Sequence, residues 1–208
     1  MLRIDEDGWL LSEDCVRLHP TTHCDRRPDG TTIDLVVLHG ISLPPYEFRT
    51  HCVESFFVGN LDVDRAPVLK SLEGVRVSSH FYIDRDGEVH QFVSTLDRAW
   101  HAGVSQFLGR ARCNDFSIGI ELEGSDFVPY EAKQYDRLVE LLSAIDARHH
   151  PAYILGHSDI APGRKTDPGP YFDWYKLSLY ADRFGRPSFV GAAARTQMAI
   201  RQGSGCIV

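Results

Sequence analysis

A loop that carries an imidazole, a cation and a carboxylate is the part of this sequence best suited to chemistry. It runs from Gly156 to Pro170, contains His157, Lys165 and Asp167, and follows a short apolar run typical of a strand. Two imidazoles and a carboxylate can hold a zinc ion while leaving one position open for water, the arrangement that metal-assisted hydrolysis needs. We therefore predict that His157 and Asp167 are two of three metal ligands.

The third ligand is expected at the end of another apolar run, residues 33–39, which finishes with His39. Apolar residues fall on both faces of this run, a pattern typical of an interior strand covered on both sides. The imidazole would then emerge at the carboxyl edge of the sheet, where ligands bind in open α/β sheets. Taken alone, His39 also fits the role of capping the strand by a hydrogen bond to a turn, although the ligand role is favoured.

The segment between residues 43 and 78 has few signals of regular structure. Prolines and glycines interrupt it, which predicts loops with one short helix near residues 53–58, and long loops in compact domains are usually functional. A hairpin is predicted from residues 79–83 and 88–93, because an Asp-Gly step suits the tight turn between them. Its strands are expected beside the 33–39 strand.

Three further segments complete the predicted domain. Residues 116–123 alternate with period two, which places Glu121 on a polar face. Residues 131–148 have the spacing of an amphipathic helix, and residues 153–155 predict a strand that leads to His157. The fold class is therefore α/β, a single domain with a central mixed β-sheet flanked by helices and a metal site at one edge of the sheet.

A chain of 208 residues can bury the core of one domain. We assign residues 1–184 to the predicted catalytic domain. Residues 185–208 lack a clear pattern and are expected to form a loosely ordered tail, with a short helix near residues 192–200.

Composition narrows the partners and the compartment. A net charge of −7 argues against nucleic acid and anionic wall polymer, which favours a small diffusible substrate. No window approaches the roughly 20 apolar residues of a membrane helix, and the first residues lack the apolar core of a secretory signal. The five cysteines are odd in number and irregularly spaced, as expected of reduced thiols. We expect a cytoplasmic protein, monomeric, with no membrane or nucleic-acid partner.

Several long motifs occur in an order that resembles a known family. They are residues 39–45, 76–80, 99–105, 113–124 and the loop of residues 156–170. Together they resemble the AmpD-type N-acetylmuramoyl-L-alanine amidases, with the likeness running from about Gly8 to Trp174. These enzymes belong to the zinc amidase superfamily that also contains the peptidoglycan-recognition proteins. The cytoplasmic branch cleaves 1,6-anhydro-muropeptides during peptidoglycan recycling.

The resemblance implies a role for each residue of the site. The zinc ligands of the family fall on His39, His157 and Asp167, its catalytic carboxylate on Glu121 and its active-site lysine on Lys165. The carboxylate would act as general base and then general acid, and the lysine would stabilise the oxyanion. The bond cut would be the amide between the muramyl lactyl group and L-alanine. Without the resemblance, Glu121 and Lys165 fit equally a solvated surface pair.

Four residues in the shared motifs are candidate substrate contacts. Arg76 and Arg112 have the side chain that binds carboxylates in a bidentate manner, although an ordinary surface salt bridge fits either one. Trp100 and His101 resemble the wall of the family's pocket, where an apolar ring would lie against the sugar and the imidazole would support the site. The alternative for this pair is a place in the core.

The remaining histidines are not expected to bind metal. His80 is predicted to be a core imidazole or one that supports a ligand, and His149 and His150 end a helix, where positive charge is favourable. One departure from the family is Gly40, since the cytoplasmic members usually carry asparagine after the first ligand. The departure concerns substrate preference more than catalysis.

Three functions remain as hypotheses. The first is a cytoplasmic zinc amidase acting on soluble anhydro-muropeptides. The second is a broad-specificity amidase on polymeric peptidoglycan, which would need export and usually a wall-binding module. The third is a non-catalytic peptidoglycan-binding protein of the same fold, which the presence of all three ligands with Glu121 and Lys165 disfavours.

Overall fold

A computed structural model of the chain has the expected α/β architecture. It describes residues 1–11, 13–181 and 191, so the predicted tail helix near 192–200 lies outside the described residues. Within them the strands are β1 (Val16–Leu18), β2 (Cys24–Arg26), β3 (Leu35–Ile41), β4 (Phe81–Ile83), β5 (Val89–Gln91), β6 (Asp97–Ala99), β7 (Gln106–Phe107), β8 (Arg110–Ala111), β9 (Ser117–Glu123) and β10 (Tyr153–Gly156). The α-helices are α1 (Cys52–Phe57), α2 (Ala132–His149), α3 (His157–Ile160) and α4 (Trp174–Ala181).

The central sheet is mixed and has six strands in the order β1-β5-β4-β9-β3-β10. Strands β4, β9, β3 and β10 run parallel to one another, while β4 and β5 form the antiparallel hairpin. The prediction that this hairpin lies beside the 33–39 strand was wrong, because β9 lies between them and pairs with both. Since every residue of β9 is buried, it fits this interior position.

Strand β3 is covered on both faces, which confirms its prediction as an interior strand. Val36 and Leu38 belong to the core that packs beneath helix α2, whereas Leu35 and Val37 belong to a second core on the opposite face. All four side chains are fully buried. Any side chain near the end of β3 is therefore held between two packed layers.

Helix α2 covers one face of the sheet and begins one residue later than predicted. Its start is fixed by a capping box, in which Glu131 and Gln134 each bond the backbone of the other. Leu138, Leu141 and Ile145 bury its apolar face in the core. No helix among the described residues is long and apolar enough to cross a membrane.

The segment of residues 43–78 is a packed layer with helical turns. Helix α1 matches the short helix predicted near residues 53–58, and 3-10 helices follow at Val63–Arg65 and Pro67–Leu72. Phe57 and Leu69 lie in a third apolar cluster that includes residues of the hairpin. The segment is thus anchored to the sheet beside the carboxyl ends of β3 and β9.

Candidate metal centre and active site

Three predicted ligands meet at the carboxyl edge of the parallel strands. His39 lies in β3, which continues to Ile41 and does not end at His39 as predicted. His157 is the first residue of α3, immediately after β10, and Asp167 lies in the loop beyond it. Because β3 and β10 are parallel neighbours, their carboxyl ends bring the two imidazoles together.

The ligand atoms of these residues form a tight triangle. Nδ1 of His39 lies 2.9 Å from Nδ1 of His157 and 3.1 Å from Oδ2 of Asp167, and the His157–Asp167 distance is 3.0 Å. Both imidazoles are almost completely buried. Such a group of two nitrogens and one carboxylate oxygen has the composition of a catalytic zinc site with one position left open.

The hydrogen bonds of His157 indicate that a cation belongs in this triangle. Its Nε2 lies 3.1 Å from the carbonyl oxygen of Ala102, which only accepts, so Nε2 carries the hydrogen. In the neutral imidazole, Nδ1 then presents a lone pair toward His39 and toward the Asp167 oxygen. Buried lone pairs and a carboxylate repel one another unless a positive charge lies between them. The residues therefore fit a divalent metal ion.

The second nitrogen of His39 is held by a neighbouring histidine. His39 Nε2 lies 2.9 Å from Nδ1 of His101, and His101 Nε2 lies 3.2 Å from the Ser117 hydroxyl. A chain of donors from His39 through His101 to Ser117 leaves the His39 Nδ1 lone pair free for a metal. Gly119 makes room for this chain, because a Cβ there would collide with the His101 ring.

Electrostatics keeps His39 and Asp167 in the forms that bind metals. Burial lowers the pKa of His39 to about 4, although the nearby carboxylate of Asp167 acts in the opposite direction. Burial alone would raise the pKa of Asp167, but its close contacts with the imidazoles of His157 and His39 outweigh it and hold that pKa below the ordinary range. Near neutral pH the site thus has neutral His39 and ionised Asp167.

Glu121 lies beside the triangle and is the direct register partner of His39 on the neighbouring strand. Its Oε1 is 3.9 Å from His39 Nδ1, whereas its buried Oε2 has no hydrogen-bond partner. Burial and then the charge of Asp167 raise its pKa well above the usual value, while Lys165 opposes the rise. A carboxyl group with a raised pKa and an unpartnered oxygen is suited to proton transfer.

A cavity of about 220 Å³ opens over the triangle. Trp100, His101 and Phe56 line it together with the three ligands, Glu121 and the exposed Lys165. A second hollow of about 320 Å³ adjoins it, and Lys165 and Asp167 line both. The structure therefore places seven of the nine predicted site residues around one cavity.

The two arginines lie outside that cavity. Arg76 is exposed, with its guanidinium 5.3 Å from the centre of the Trp100 ring, so it borders the cavity only through that ring. Arg112 is exposed and pairs with Asp115 at 3.2 Å, the surface salt bridge that the sequence left open as its alternative. The geometry thus favours Trp100 over either arginine as a direct substrate contact.

Two other histidines have structural surroundings. His80 is fully buried and accepts a hydrogen bond from the Gly119 backbone N–H, as expected of a core imidazole. The expectation that His149 is a favourable cation at the end of α2 was wrong, because burial lowers its pKa to about 4. Its Nε2 instead lies 2.8 Å from the Thr95 hydroxyl.

Sequence reasoning missed two residues that support the ligands. Arg164 donates to the Ala102 carbonyl, the same oxygen that receives His157 Nε2–H. Tyr130 donates to the carbonyl of Pro168, directly after Asp167. The position of Arg164 in the ligand loop could have drawn attention to it, whereas Tyr130 precedes α2 and carries no local signal.

A mixed sheet brings two histidines and an aspartate together at the ends of its parallel strands, beside a buried glutamate, which is the composition of a candidate metallohydrolase site. The family model of N-acetylmuramoyl-L-alanine amidases matches residues 29–170. The 1,6-anhydro-N-acetylmuramyl-L-alanine amidase AmpD of Escherichia coli is 48% identical over 180 residues, which cover 86% of this chain and 97% of that protein. The chain belongs to the N-acetylmuramoyl-L-alanine amidase family, in its AmpD-type branch.

Solved structures agree with this placement. A crystal structure of a selenomethionine AmpD derivative has 44% identity and a TM-score of 0.79, covering 85% of this chain and 98% of that chain. The amidase AmiD of Escherichia coli, in complex with the substrate anhydro-N-acetylmuramic acid-L-Ala-D-gamma-Glu-L-Lys, has 29% identity and a TM-score of 0.53. That alignment covers 86% of this chain and 65% of AmiD.

Proposed function

We propose that this protein is a zinc-dependent amidase that hydrolyses the bond between the lactyl group of (1,6-anhydro-)N-acetylmuramic acid and L-alanine during peptidoglycan recycling. The observation that carries the proposal is the convergence of His39, His157 and Asp167 beside the unpartnered oxygen of Glu121. The names of the AmpD relatives support the substrate, and the donor set supports zinc. A zinc ion at these ligands supplies Lewis acidity toward water and the scissile carbonyl.

Glu121 acts as the proton carrier of the reaction. Its Oε2 accepts a proton from the attacking water and later returns that proton to the nitrogen of the leaving L-alanine. The raised pKa of the Glu121 carboxyl group suits both steps, because a proton carrier works best when its pKa lies near the pH of the reaction. The backbone register with His39 holds the carboxyl beside the metal ligands throughout.

Lys165 stabilises the negative charge that develops on the carbonyl oxygen. Its side chain lines both the cavity over the ligands and the adjoining hollow, so it lies where the two parts of a muropeptide would meet. An ammonium group placed near a developing oxyanion lowers the activation barrier of hydrolysis, because a preorganised charge needs no rearrangement during the reaction. The Trp100 ring, which also contacts Arg76 and stacks with His23, lines the cavity and supplies an aromatic contact for the sugar. The exposed Lys165 remains available to a substrate that enters from solvent.

We place the activity in the cytoplasm and take the partner to be a small muropeptide. The four cysteines among the described residues, Cys15, Cys24, Cys52 and Cys113, are free thiols, which supports a reducing compartment. The AmiD complex supports binding of an anhydromuramyl peptide within this family.

The test is a mass-spectrometric product assay on purified anhydro-muropeptide and, in parallel, on intact polymeric peptidoglycan. Protein loaded with zinc, protein stripped by a chelator and stripped protein given zinc again are compared. We expect release of free stem peptide from the small substrate alone, lost on stripping and restored by zinc. Cleavage of both substrates would support the broad-specificity amidase instead. Cleavage of neither by zinc-loaded protein would overturn the proposal in favour of a binding protein.

A further inference from the structure

Tyr130 occupies a place where the backbones of several ligand segments meet. Its buried hydroxyl donates to the carbonyl oxygen of Pro168 at 2.7 Å. Its ring fills a gap bounded by Gly40 and Gly124, since a Cβ at either glycine would collide with the tyrosine side chain. Burial, and then the charge of Glu121, raise the pKa of Tyr130 well above its usual value, so the hydroxyl stays a donor.

Pro168 connects the segments of all three ligands. It follows Asp167 in the chain, and its ring lies against Gly156, where a Cβ would come within 2.9 Å of Pro168 Cδ. Its carbonyl oxygen lies on the other side near Gly40, the residue after His39, and would be 3.5 Å from a Cβ at that position. The Asp167 carbonyl also accepts a hydrogen bond from Ser158 N–H at the start of α3. Asp167 and Pro168, which we call the Asp167 arm, thus pack against the backbone beside each histidine.

We propose that Tyr130 is a positioning residue for the metal centre, whose hydroxyl holds the Asp167 arm against the strands that carry His39 and His157. The inference rests on the proposed function in one respect, namely that this triad binds a metal. Tyr130 is not itself a metal ligand. Its hydroxyl bonds Pro168, the residue after Asp167, and not Asp167 itself. Partners of this kind orient ligands, and their loss typically weakens metal binding or activity about 10- to 100-fold.

Gly40 takes on a definite role in this arrangement. A side chain at position 40 would need the space that the Tyr130 hydroxyl now fills, whereas the ring carbon Cζ would lie 3.5 Å from a Cβ there, an ordinary contact. It is thus the Tyr130 hydroxyl, more than the ring, that leaves no room for a side chain at position 40.

The first experiment measures zinc affinity by competition with a chromophoric chelator, without any substrate. Tyr130→Phe removes only the hydroxyl, and we expect zinc to bind about 10- to 100-fold more weakly. The matched control is Tyr135→Phe in the same aromatic cluster, which removes the acceptor of the hydrogen bond from Asp173 N–H. The control should keep the affinity of the parent protein within about 2-fold.

A double-mutant cycle separates positioning from general loss of structure. Gly40→Ala alone should weaken zinc binding, because its methyl group displaces the hydroxyl. In the Tyr130→Phe background the same change should have little additional effect, since its nearest obstacle is gone. Additive losses would indicate two independent structural defects and would contradict the proposal.

The outcomes distinguish this inference from the proposed function. Unchanged zinc affinity in Tyr130→Phe, with the parent protein binding zinc normally, overturns the positioning role and leaves the amidase proposal standing. A parent protein that binds no zinc removes the metal-dependent function itself. If Tyr130→Phe and Tyr135→Phe weaken zinc binding equally, the effect belongs to the aromatic cluster, and the specific role of Tyr130 is again wrong.

Discussion

At the scale of single residues, Glu121 and Glu123 differ in what their carboxyl groups contact. Both are buried on the same face of β9. Glu123 accepts hydrogen bonds from the backbone N–H groups of Arg49 and Arg85, whereas Glu121 keeps one buried oxygen without a partner. Satisfied carboxylates stabilise structure, and an unsatisfied one beside metal ligands is available for chemistry.

This difference predicts the effect of replacing each carboxylate. Glu121→Gln should lower amidase turnover about 100- to 10,000-fold, because the amide cannot carry the proton, while zinc content stays near that of the parent protein. Glu123→Gln should retain turnover within a few-fold, although its lost backbone contacts lower stability. Steady-state kinetics with metal analysis of both variants provides the check. Equal losses in the two variants would contradict the catalytic role.

The sequence was sufficient to predict the residues whose chemistry is encoded by their own type. His39, His157 and Asp167 are recognisable because few side chains can bind zinc, and the strand pattern placed Glu121 on a polar face. The resemblance implied that the His101 imidazole supports the site, but neither its contact with His39 nor the role of Tyr130 was accessible in this way. Each depends on a contact with a residue distant in the chain, His39 or Pro168, which local periodicity does not specify.

At the scale of elements, the end of α2 shows burial overriding the helix dipole. The sequence favoured a positive charge at His149, whereas burial, assisted by the neighbouring charge of Arg148, makes the neutral form more stable. A dipole contributes about 0.3–1 kcal/mol at an exposed helix end, less than the cost of burying a charge. Periodicity located the helix correctly but contained no information on what would pack against its last turn.

His149 should therefore make stability depend on pH. Its pKa is about 4 in the folded protein and near 6.5 in an unfolded chain, so the unfolded state takes up the proton first as the pH falls. The free energy of unfolding should decrease between about pH 6.5 and pH 4. In His149→Gln this decrease should be smaller, as measured by urea unfolding across that range.

The control is His150→Gln, since His150 is the exposed neighbour that follows α2. Every other ionisable group is common to the parent and to His149→Gln, so comparison of the profiles isolates the contribution of His149. A His149→Gln profile parallel to those of the parent and of His150→Gln would show that His149 does not contribute.

The order of the strands was the other feature that local patterns could not supply. The hairpin was predicted correctly as a unit, yet its neighbour in the sheet is β9 and not β3. Pairing between strands distant in sequence is decided by packing of the whole domain. A run of alternating residues carries no information about that packing. The fold class was predictable because it needs only the types and order of elements.

At the scale of the whole molecule, binding of a metal ion should stabilise the folded state. His157 is 118 residues and Asp167 is 128 residues beyond His39, so only the folded chain presents the three ligands together. A ligand that binds only the native state stabilises it by about 2.7 kcal/mol at a free concentration 100 times its Kd. Zinc should therefore raise the Tm of stripped protein, and a chelator should reverse the change.

Differential scanning calorimetry with increasing zinc provides the measurement. His39→Ala serves as the control, since it removes one ligand and should abolish most of the zinc-dependent rise in Tm. A rise of the same size in this variant would show that zinc stabilises the protein elsewhere, and no rise in the parent would contradict a metal centre at these three residues.

The pairing of His39 with Glu121 across two neighbouring strands has a consequence for how the protein can be altered. Seven consecutive backbone pairs join β3 and β9, so the spacing between the two side chains is set by main-chain bonds deep in the sheet. Much of the surrounding wall, in contrast, comes from segments outside these strands, such as residues 42–46 and 125–126. A designer seeking a new substrate range can therefore exchange residues in those segments, while the pairing of His39 with Glu121 stays unchanged.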